Sequence, residues 1–381
     1  MNIAIINECK TLGGCEVFVQ RLRDILSNKG NNVFCIYLKE VDGNISENEY
    51  SLMIKPSGFK KYIYSPSKAK EIRKILSYNK IEVIILNNIF SEPITLYKSI
   101  EGYKIVQILH DYSVICPKST CIKDDGDVCR GYKKEKCIKS CTYHGSKSQL
   151  ILKLFLMSCI DMIRKKKYKF IAPSKRLTQY AINNGYKVKT LENPINISLN
   201  IKEKNPKKDK YVYIGGLNKN KGLYELLPAF KKFSENRNVK LYMYGRTSSV
   251  DDELILGKYC SDKIIYMGYV NHDEIADILE DTYALLVPSF WMENYPTTVL
   301  EGFANNVLVI GSDRGGIPEL LSDGRGICYR YGQKELVEAL EKSELLTIEE
   351  YKNITSLGLD YIKNNNTLEK YYQGIIDVMK M

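Results

Sequence analysis

Two carboxylates, Glu293 and Glu301, stand with seven residues between them in Pro288-Ser-Phe-Trp-Met-Glu-Asn-Tyr-Pro-Thr-Thr-Val-Leu-Glu-Gly-Phe303. An apolar run, Tyr283-Ala-Leu-Leu-Val287, leads into the loop that carries Glu293, as a buried strand would. A helix should then start near Pro296, because proline in the first turn lacks only an N–H that has no intrahelical partner. The N–H groups of Thr297 and Thr298 would point outward as an anion site at the carboxyl end of that strand. Glu293 would lie just before this site and Glu301 in the second helical turn. Two hydrogen-bond acceptors flanking a phosphate-sized site suit a nucleotide sugar, whose sugar and ribose hydroxyls lie on either side of a diphosphate.

Further along, Val309-Ile-Gly-Ser-Asp-Arg-Gly-Gly-Ile-Pro-Glu-Leu-Leu321 reads as another strand, a glycine turn and a helix. Upstream, Ile214-Gly-Gly-Leu-Asn-Lys-Asn-Lys-Gly222 follows an apolar strand and sets Lys221 between glycine turns. Gly13 and Gly14 follow the first strand, where glycine admits close backbone approach to a ligand. His110-Asp111-Tyr112 follows another buried strand.

Together these segments resemble the retaining glycosyltransferases of family 4, which carry an E-x7-E signature on the two-Rossmann GT-B fold. The resemblance implies an α/β chain of two Rossmann-like domains facing across a cleft. The activity it implies is metal-independent, retaining transfer of a sugar from a nucleotide-diphosphate sugar to a hydroxyl of an oligosaccharide or lipid-linked glycan acceptor, without a cofactor. It assigns Glu293 to sugar hydroxyls, Glu301 to the ribose diol, Lys221 to the diphosphate and His110 to the face beneath the transferred sugar. Donor contacts would also come from Gly14, Gly216, Val270, Asn294, Tyr295, Thr297 and Thr298. Val270 closes the turn Met267-Gly-Tyr-Val270 that meets the nucleobase. The sequence departs from the pattern at Gly216, where arginine is usual; Arg246 or Lys219 could supply that charge. Asn87-Asn-Ile-Phe90 resembles a neighbouring loop of the same family. A non-catalytic nucleotide-sugar-binding or membrane-surface assembly protein of the same fold stays open as the alternative.

The elements that must position these residues alternate strand and helix. Strands are expected at 2–7, 33–38, 82–86, 105–110 and 169–174, with helices at 17–29, 68–78, 148–165 and up to 184. After a polar linker the pattern restarts with strands at 211–214, 239–244, 264–267 and 283–287 and helices at 223–234 and 272–279. Strands separated by helices indicate doubly wound parallel sheets. The expected domains are 1–195 for the acceptor and 196–366 for the donor, with a helix over 367–381 packing back on the first.

The 381 residues carry 56 Lys+Arg against 45 Asp+Glu. Residues 1–200 hold 33 basic and 18 acidic residues, and the remainder 23 and 27, so the excess of charge lies in the first half. That asymmetry fits an anionic membrane surface. Nucleic acid is excluded by the lack of arginine-rich or aromatic readout motifs. The segment 148–169 joins Leu150, Ile151, Leu154, Phe155, Met157, Ile160 and Ile163 to Arg164-Lys-Lys-Lys167, the composition of an interfacial helix. Lys60, Lys61, Lys70, Arg73 and Lys74 could extend the cationic patch. Met1-Asn-Ile-Ala-Ile-Ile-Asn7 is a strand, not a leader, and the expected place of the chain is cytoplasmic, peripheral on the inner face of the membrane.

Five of the eleven cysteines, Cys116, Cys121, Cys129, Cys137 and Cys141, fall within 26 residues, with His144 just after. Clustered thiols in a reducing compartment read as metal ligands or reduced thiols, but the paired C-x2-C of common zinc modules is missing. A structural zinc on these five stays open. Asp125-Gly-Asp127, a D-x-D triplet, lies inside the same segment and not after a nucleotide-binding strand. Cys9, Cys35, Cys159, Cys260 and Cys328 are expected to be buried as small hydrophobes.

Overall fold

The computed structural model describes residues 1–10, 14–39, 41, 45–52, 63–87, 89, 93–129, 134–195 and 207–380. Two parallel sheets organise the chain. The first contains β1 (Asn2–Asn7), β2 (Asn32–Tyr37), β3 (Glu49–Ser51), β4 (Val83–Asn87), β5 (Lys104–Ile108), β6 (Lys169–Ala172) and β7 (Val188–Thr190), in the order β3-β2-β1-β4-β5-β6-β7. The second contains β8 (Lys210–Ile214), β9 (Lys240–Tyr244), β10 (Ile264–Gly268), β11 (Ala284–Val287), β12 (Leu308–Ser312) and β13 (Ile327–Tyr329), ordered β10-β9-β8-β11-β12-β13. Both orders reverse direction beside their first strand, which opens a crevice outside the carboxyl ends of the strands.

Helices cover both faces of each sheet, which is why β1 reads as an unbroken apolar run. Alternate residues serve opposite layers: Ile3 and Ile5 pack with α1 (Gly14–Ser27), while Ala4 and Ile6 face α2 (Pro66–Tyr78) and α3 (Pro93–Ser99). The cysteine-rich segment carries α4 (Lys134–Ser140) and is followed by α5 (Lys147–Lys167) and α6 (Lys175–Asn183). In the second sheet, α7 (Leu223–Ser234) supplies Leu226, Phe230 and Phe233 to one core, with α8 (Val250–Tyr259) beside it. Then come α9 (Ile275–Glu280), α10 (Thr297–Ala304), α11 (Ile317–Leu321), α12 (Gln333–Glu344), α13 (Ile348–Asn365) and α14 (Leu368–Lys380). The last of these returns to the first sheet, where Tyr371, Ile375 and Met379 join the core around Ile3 and Ile5.

The structure revises several sequence expectations. Cys9 and Cys35 are buried, but Cys159 is half-buried and Cys260 and Cys328 are exposed. Cys260 follows the last turn of α8, and Cys328 points outward from the edge strand β13, whose burial alternates. Arg164 is buried and donates to Asp161 at 2.6 Å, so it does not belong to the cationic end of α5. The thiols divide between places: Cys121 sits in the first domain's core, and Cys137 and Cys141 pack against Leu150 and Leu154. His144 is exposed against the Tyr143 ring. Among the described residues no group of three or more His, Cys, Asp or Glu side chains is arranged to hold a metal. Asp125 and Asp127 form a surface turn in which the Asp127 N–H donates to Asp125 Oδ1. No helix among the described residues is long and apolar enough to cross a membrane. Gly13, Lys60, Lys61, Asn88, Phe90 and most of the linker (196–206) lie outside the described residues.

Candidate active site

A cavity of about 560 Å³ lies where the carboxyl ends of the two sheets meet. Gly215 after β8 and Pro288-Ser289 after β11 form its floor, with His110-Asp111 after β5 and Pro173 after β6 opposite. Its size suits a small-molecule ligand.

Glycines draw the loops that border the cavity together. Gly222 opens α7 with φ at +84°, and a Cβ there would lie 1.8 Å from the Pro288 carbonyl oxygen. The backbones of the two loops therefore touch, and the N–H groups of Phe290 and Trp291 both donate to the Asn220 carbonyl. Lys221, between these contacts, reaches Glu293 at 2.6 Å and lies over the Trp291 ring. From the other side, Gly315 and Gly316 clasp the same loop. A Cβ on Gly315 would meet Glu293 O at 1.7 Å, and one on Gly316 would meet Asn294 O at 2.1 Å. The Gly316 N–H donates to the Glu293 carbonyl.

Glu293 is held as an anion. Its Oε1 accepts from Lys221 Nζ at 2.6 Å, Trp291 Nε1 at 2.7 Å and Ser289 Oγ at 2.8 Å. Burial by itself would push its pKa up; the Lys221 ammonium and the other donors outweigh burial and hold it below the usual carboxylate value. Glu301 behaves in the opposite sense. It is buried in the second turn of α10, and burial raises its pKa against the weaker pull of His272, 3.5 Å away, and of Arg21. α10 can lie tight on the sheet because Gly302 faces Val309, where a Cβ would come within 2.6 Å. Thr297 and Thr298, its first residues, line the cavity with Glu301.

His110 faces these groups from the first domain, edge-on to Phe18 of α1. Its Nε2 contacts Asn87 Oδ1 at 2.5 Å. Asn87 Nδ2 donates to Asn7 Oδ1, and Asn7 Nδ2 to the Cys9 carbonyl. This chain runs through side chains buried at the ends of β4 and β1 and fixes the imidazole plane. Burial lowers the His110 pKa to about 4, so the ring is neutral near pH 7.

The structure therefore brings Lys221, Glu293, Thr297, Thr298 and Glu301 to one cavity, with His110 facing them. Other expected donor residues are placed differently. Asn294 borders the cavity, yet its amide is committed across the domain boundary, accepting from Ser174 Oγ and donating to the Leu109 carbonyl. Tyr295 is buried and also borders it, but its hydroxyl donates to Glu192 and accepts from Asn366. Gly14 begins α1, and among the described residues Gly216 and Val270 are not part of the cavity lining. Arg246 is exposed and stacked on the Tyr269 ring, 4.1 Å from its centroid, so it does not replace the missing arginine in the cavity wall; Lys219 is exposed too. Arg21, His272, Ser289 and Trp291 also line the cavity and escaped sequence reading. Trp291, the sole tryptophan, two residues before Glu293, was the one signal available.

Residues 195–356 match the family model described as Glycosyl transferases group 1. An uncharacterized glycosyltransferase of Methanocaldococcus jannaschii is 27% identical over 112 residues, a match spanning 29% of this chain and 28% of that protein's own length. Among solved structures, sucrose-phosphate synthase from Thermosynechococcus elongatus superposes with a TM-score of 0.73 at 13% identity, covering 100% of this chain and 98% of its own. A glycosyltransferase from Rickettsia africae ESF-5 gives 0.73 at 16% identity, over 100% and 97%. Anabaena HepE in complex with UDP gives 0.73 at 12% identity, over 100% of both chains. The fold is that of the GT-B glycosyltransferases, and residues 195–356, which match the glycosyl transferases group 1 model, contain Lys221, Glu293 and Glu301.

Proposed function

We propose that this chain transfers a sugar from a nucleoside-diphosphate sugar to a hydroxyl of a lipid-linked glycan acceptor, with retention at the anomeric carbon and without a divalent ion. The observation that carries this reading is the pairing of half-buried Lys221 with buried Glu293 at 2.6 Å in one cavity wall with Glu301 and the first turn of α10. Lys221 and the N–H groups of Thr297 and Thr298 lie where a cation and a helix N-terminus offset the charge of a departing diphosphate. The described hydrogen bonds to the Glu293 carboxylate all fall on Oε1, which leaves Oε2 for sugar hydroxyls. Glu301 takes the ribose diol, and Arg21 and His272 hold its carboxylate in place. His110, neutral and fixed by Asn87, presents the sugar from the acceptor side. Retention follows from attack by the acceptor hydroxyl on the face the diphosphate leaves, the C–O bond to the diphosphate breaking as the new one forms, with acceptor and donor held on that same face by the two domains.

The acceptor's lipid is read from α5. Leu150, Leu154 and Met157 are buried, whereas Ile151, Leu152, Phe155, Met162 and Ile163 are exposed on the same helix. Lys166 and Lys167 end it, and Lys70, Arg73 and Lys74 are exposed on α2. An exposed apolar ridge with cationic flanks is the surface of a helix that rests on an anionic bilayer.

The test is donor turnover. Purified protein is given UDP-glucose, the ligand present in a HepE structure, and then other nucleotide sugars, with and without EDTA. Transfer or slow hydrolysis that survives EDTA and disappears in Glu293→Ala supports the reading. Donor binding with no turnover in any lipid-linked acceptor mixture would make the chain a binding protein, and loss of turnover in EDTA with rescue by manganese would refute the metal-free mechanism.

A further inference from the structure

A second cleft, of about 840 Å³, opens between the domains and shares no lining residue with the first. The cysteine-rich segment walls it on one side, through Lys123, Lys136 and Cys137. α6 supplies Arg176, Tyr180 and Asn183, and the loops after β12 and β13 supply Arg314, Arg330 and Tyr331. The donor chemistry does not use this surface, and of the segments that carry the resemblance only Asp313 and Arg314 reach it.

Its charge is mainly positive, Lys123, Lys136, Arg176, Arg314 and Arg330 standing against Asp127 and Asp313. Lys123 is answered by Asp127 at 3.3 Å. Among the described residues, Lys136, Arg176 and Arg330 have no carboxylate within ion-pair distance, and Arg314 Nε stands 3.9 Å from Asp313. Arg176 Nε and Arg314 Nε are both buried with no hydrogen-bond partner. A buried donor left unsatisfied is destabilising, and each such group in a native protein calls for a partner, a bound ion among them. These two come from different domains, so one bound anion would join them.

The rest of the lining suits a sugar. Tyr180 is fixed in place, its hydroxyl donating to the Cys129 carbonyl at 2.9 Å. Arg314 lies over the Tyr331 ring at 4.8 Å, which sets both the ring and the guanidinium. Fixed aromatic rings offer apolar faces to sugar C–H groups, and a planar guanidinium pairs with carboxylate or phosphate. Asn183 and Asn184 also line the cleft, with Asn183 Oδ1 accepting from Gln179 and Asn184 Nδ2 donating to the Tyr180 carbonyl, so Asn183 Nδ2 and Asn184 Oδ1 are the amide atoms that would meet hydroxyls. Arg314 also precedes the Gly315-Gly316 turn that clasps Glu293 and Asn294, so a ligand on it bears on the donor loop.

We propose that this cleft binds an acidic saccharide, a glycan segment bearing carboxylates or phosphates, clamped between Arg176 of the first domain and Arg314 and Arg330 of the second. The saccharide identity rests on the glycosyltransferase reading above; the anion site rests on the arginines alone. Calorimetric titration of the full chain with tetragalacturonate and with neutral maltotetraose tests it. The acidic tetramer should bind at least about tenfold tighter, and lose roughly tenfold or more in Arg176→Gln/Arg330→Gln. The surface change Lys136→Glu should weaken it in the same direction without touching the core. Displacement by glucose 6-phosphate would extend the class to phosphate, and failure to displace would assign it to carboxylate; either supports the site. Equal affinity for the two tetramers, unaltered binding in both variants, or displacement by UDP would overturn it. UDP affinity, measured on the same samples, reports the donor cleft alone, so its loss would count against the proposed function and not against this cleft.

Discussion

Replacing Lys221 by methionine keeps an apolar stem of similar length and removes the ammonium, which meets Glu293 and lies over the Trp291 ring. The carboxylate it leaves is buried and keeps two neutral donors, Ser289 Oγ and Trp291 Nε1. A hydrogen bond to a charged group contributes about 1.5–3 kcal/mol, and because Lys221 is 31% exposed the lower end applies, about 1.5–2 kcal/mol. At roughly 2–4 °C per kcal/mol for a domain of this size, the melting temperature at pH 7 should fall by about 3–8 °C. The pH dependence carries the argument. In the native protein the Glu293 pKa lies below its ordinary value, so the pair's contribution is present above the unfolded pKa of about 4.3 and is lost as pH falls through the folded value. In the variant burial acts unopposed by a cation and the folded pKa rises above the unfolded one, so stability is lost as pH climbs past about 4.3. The gap between the two proteins should therefore widen steadily from pH 4 to pH 7. Scanning calorimetry in parallel buffers measures it. A gap of constant size across that range would mean that Lys221 acts through packing, and the electrostatic account of Glu293 would be wrong.

Other consequences are simpler to state. Glu301→Ala should weaken binding of the free nucleoside diphosphate by roughly tenfold to a hundredfold, read by titration calorimetry; unchanged affinity in a folded variant would remove the ribose role. Gly315→Ala places a Cβ 1.7 Å from Glu293 O at a positive φ and should cost about 2 kcal/mol or more in urea unfolding while abolishing turnover. Phe155→Ser with Ile151→Ser, both on exposed positions of α5, should lower co-sedimentation with anionic liposomes at low salt at least about tenfold and leave the melting temperature within a few degrees; equal recovery with both lipids and both proteins would sink the membrane assignment.

The fold was legible because its signals are local. Apolar runs such as 2–7 and 284–287 are buried on both faces and bounded by glycine or proline turns, so their strand character shows in any window. Short edge strands such as β3 and β7 carry three residues each and no run to detect, and they were not expected. The spacing of Glu293 and Glu301 on a loop and the helix after it was likewise written in the chain, since Pro296 and Gly302 fix where α10 begins and how closely it lies on the sheet. Backbone contact between distant loops was not. That Lys221 meets Glu293, 72 residues on, follows from Gly222 resting on Pro288, and that His110 meets Asn87 follows from the adjacency of β4 and β5. The same holds for the bond between the Asn294 amide and Ser174, 120 residues apart, and for Arg246, whose charge lies on Tyr269. Local sequence determines which backbone a segment adopts and which side chains it carries; which of those side chains share a site is decided by long-range packing, because pairs far apart in the chain leave no periodicity in it.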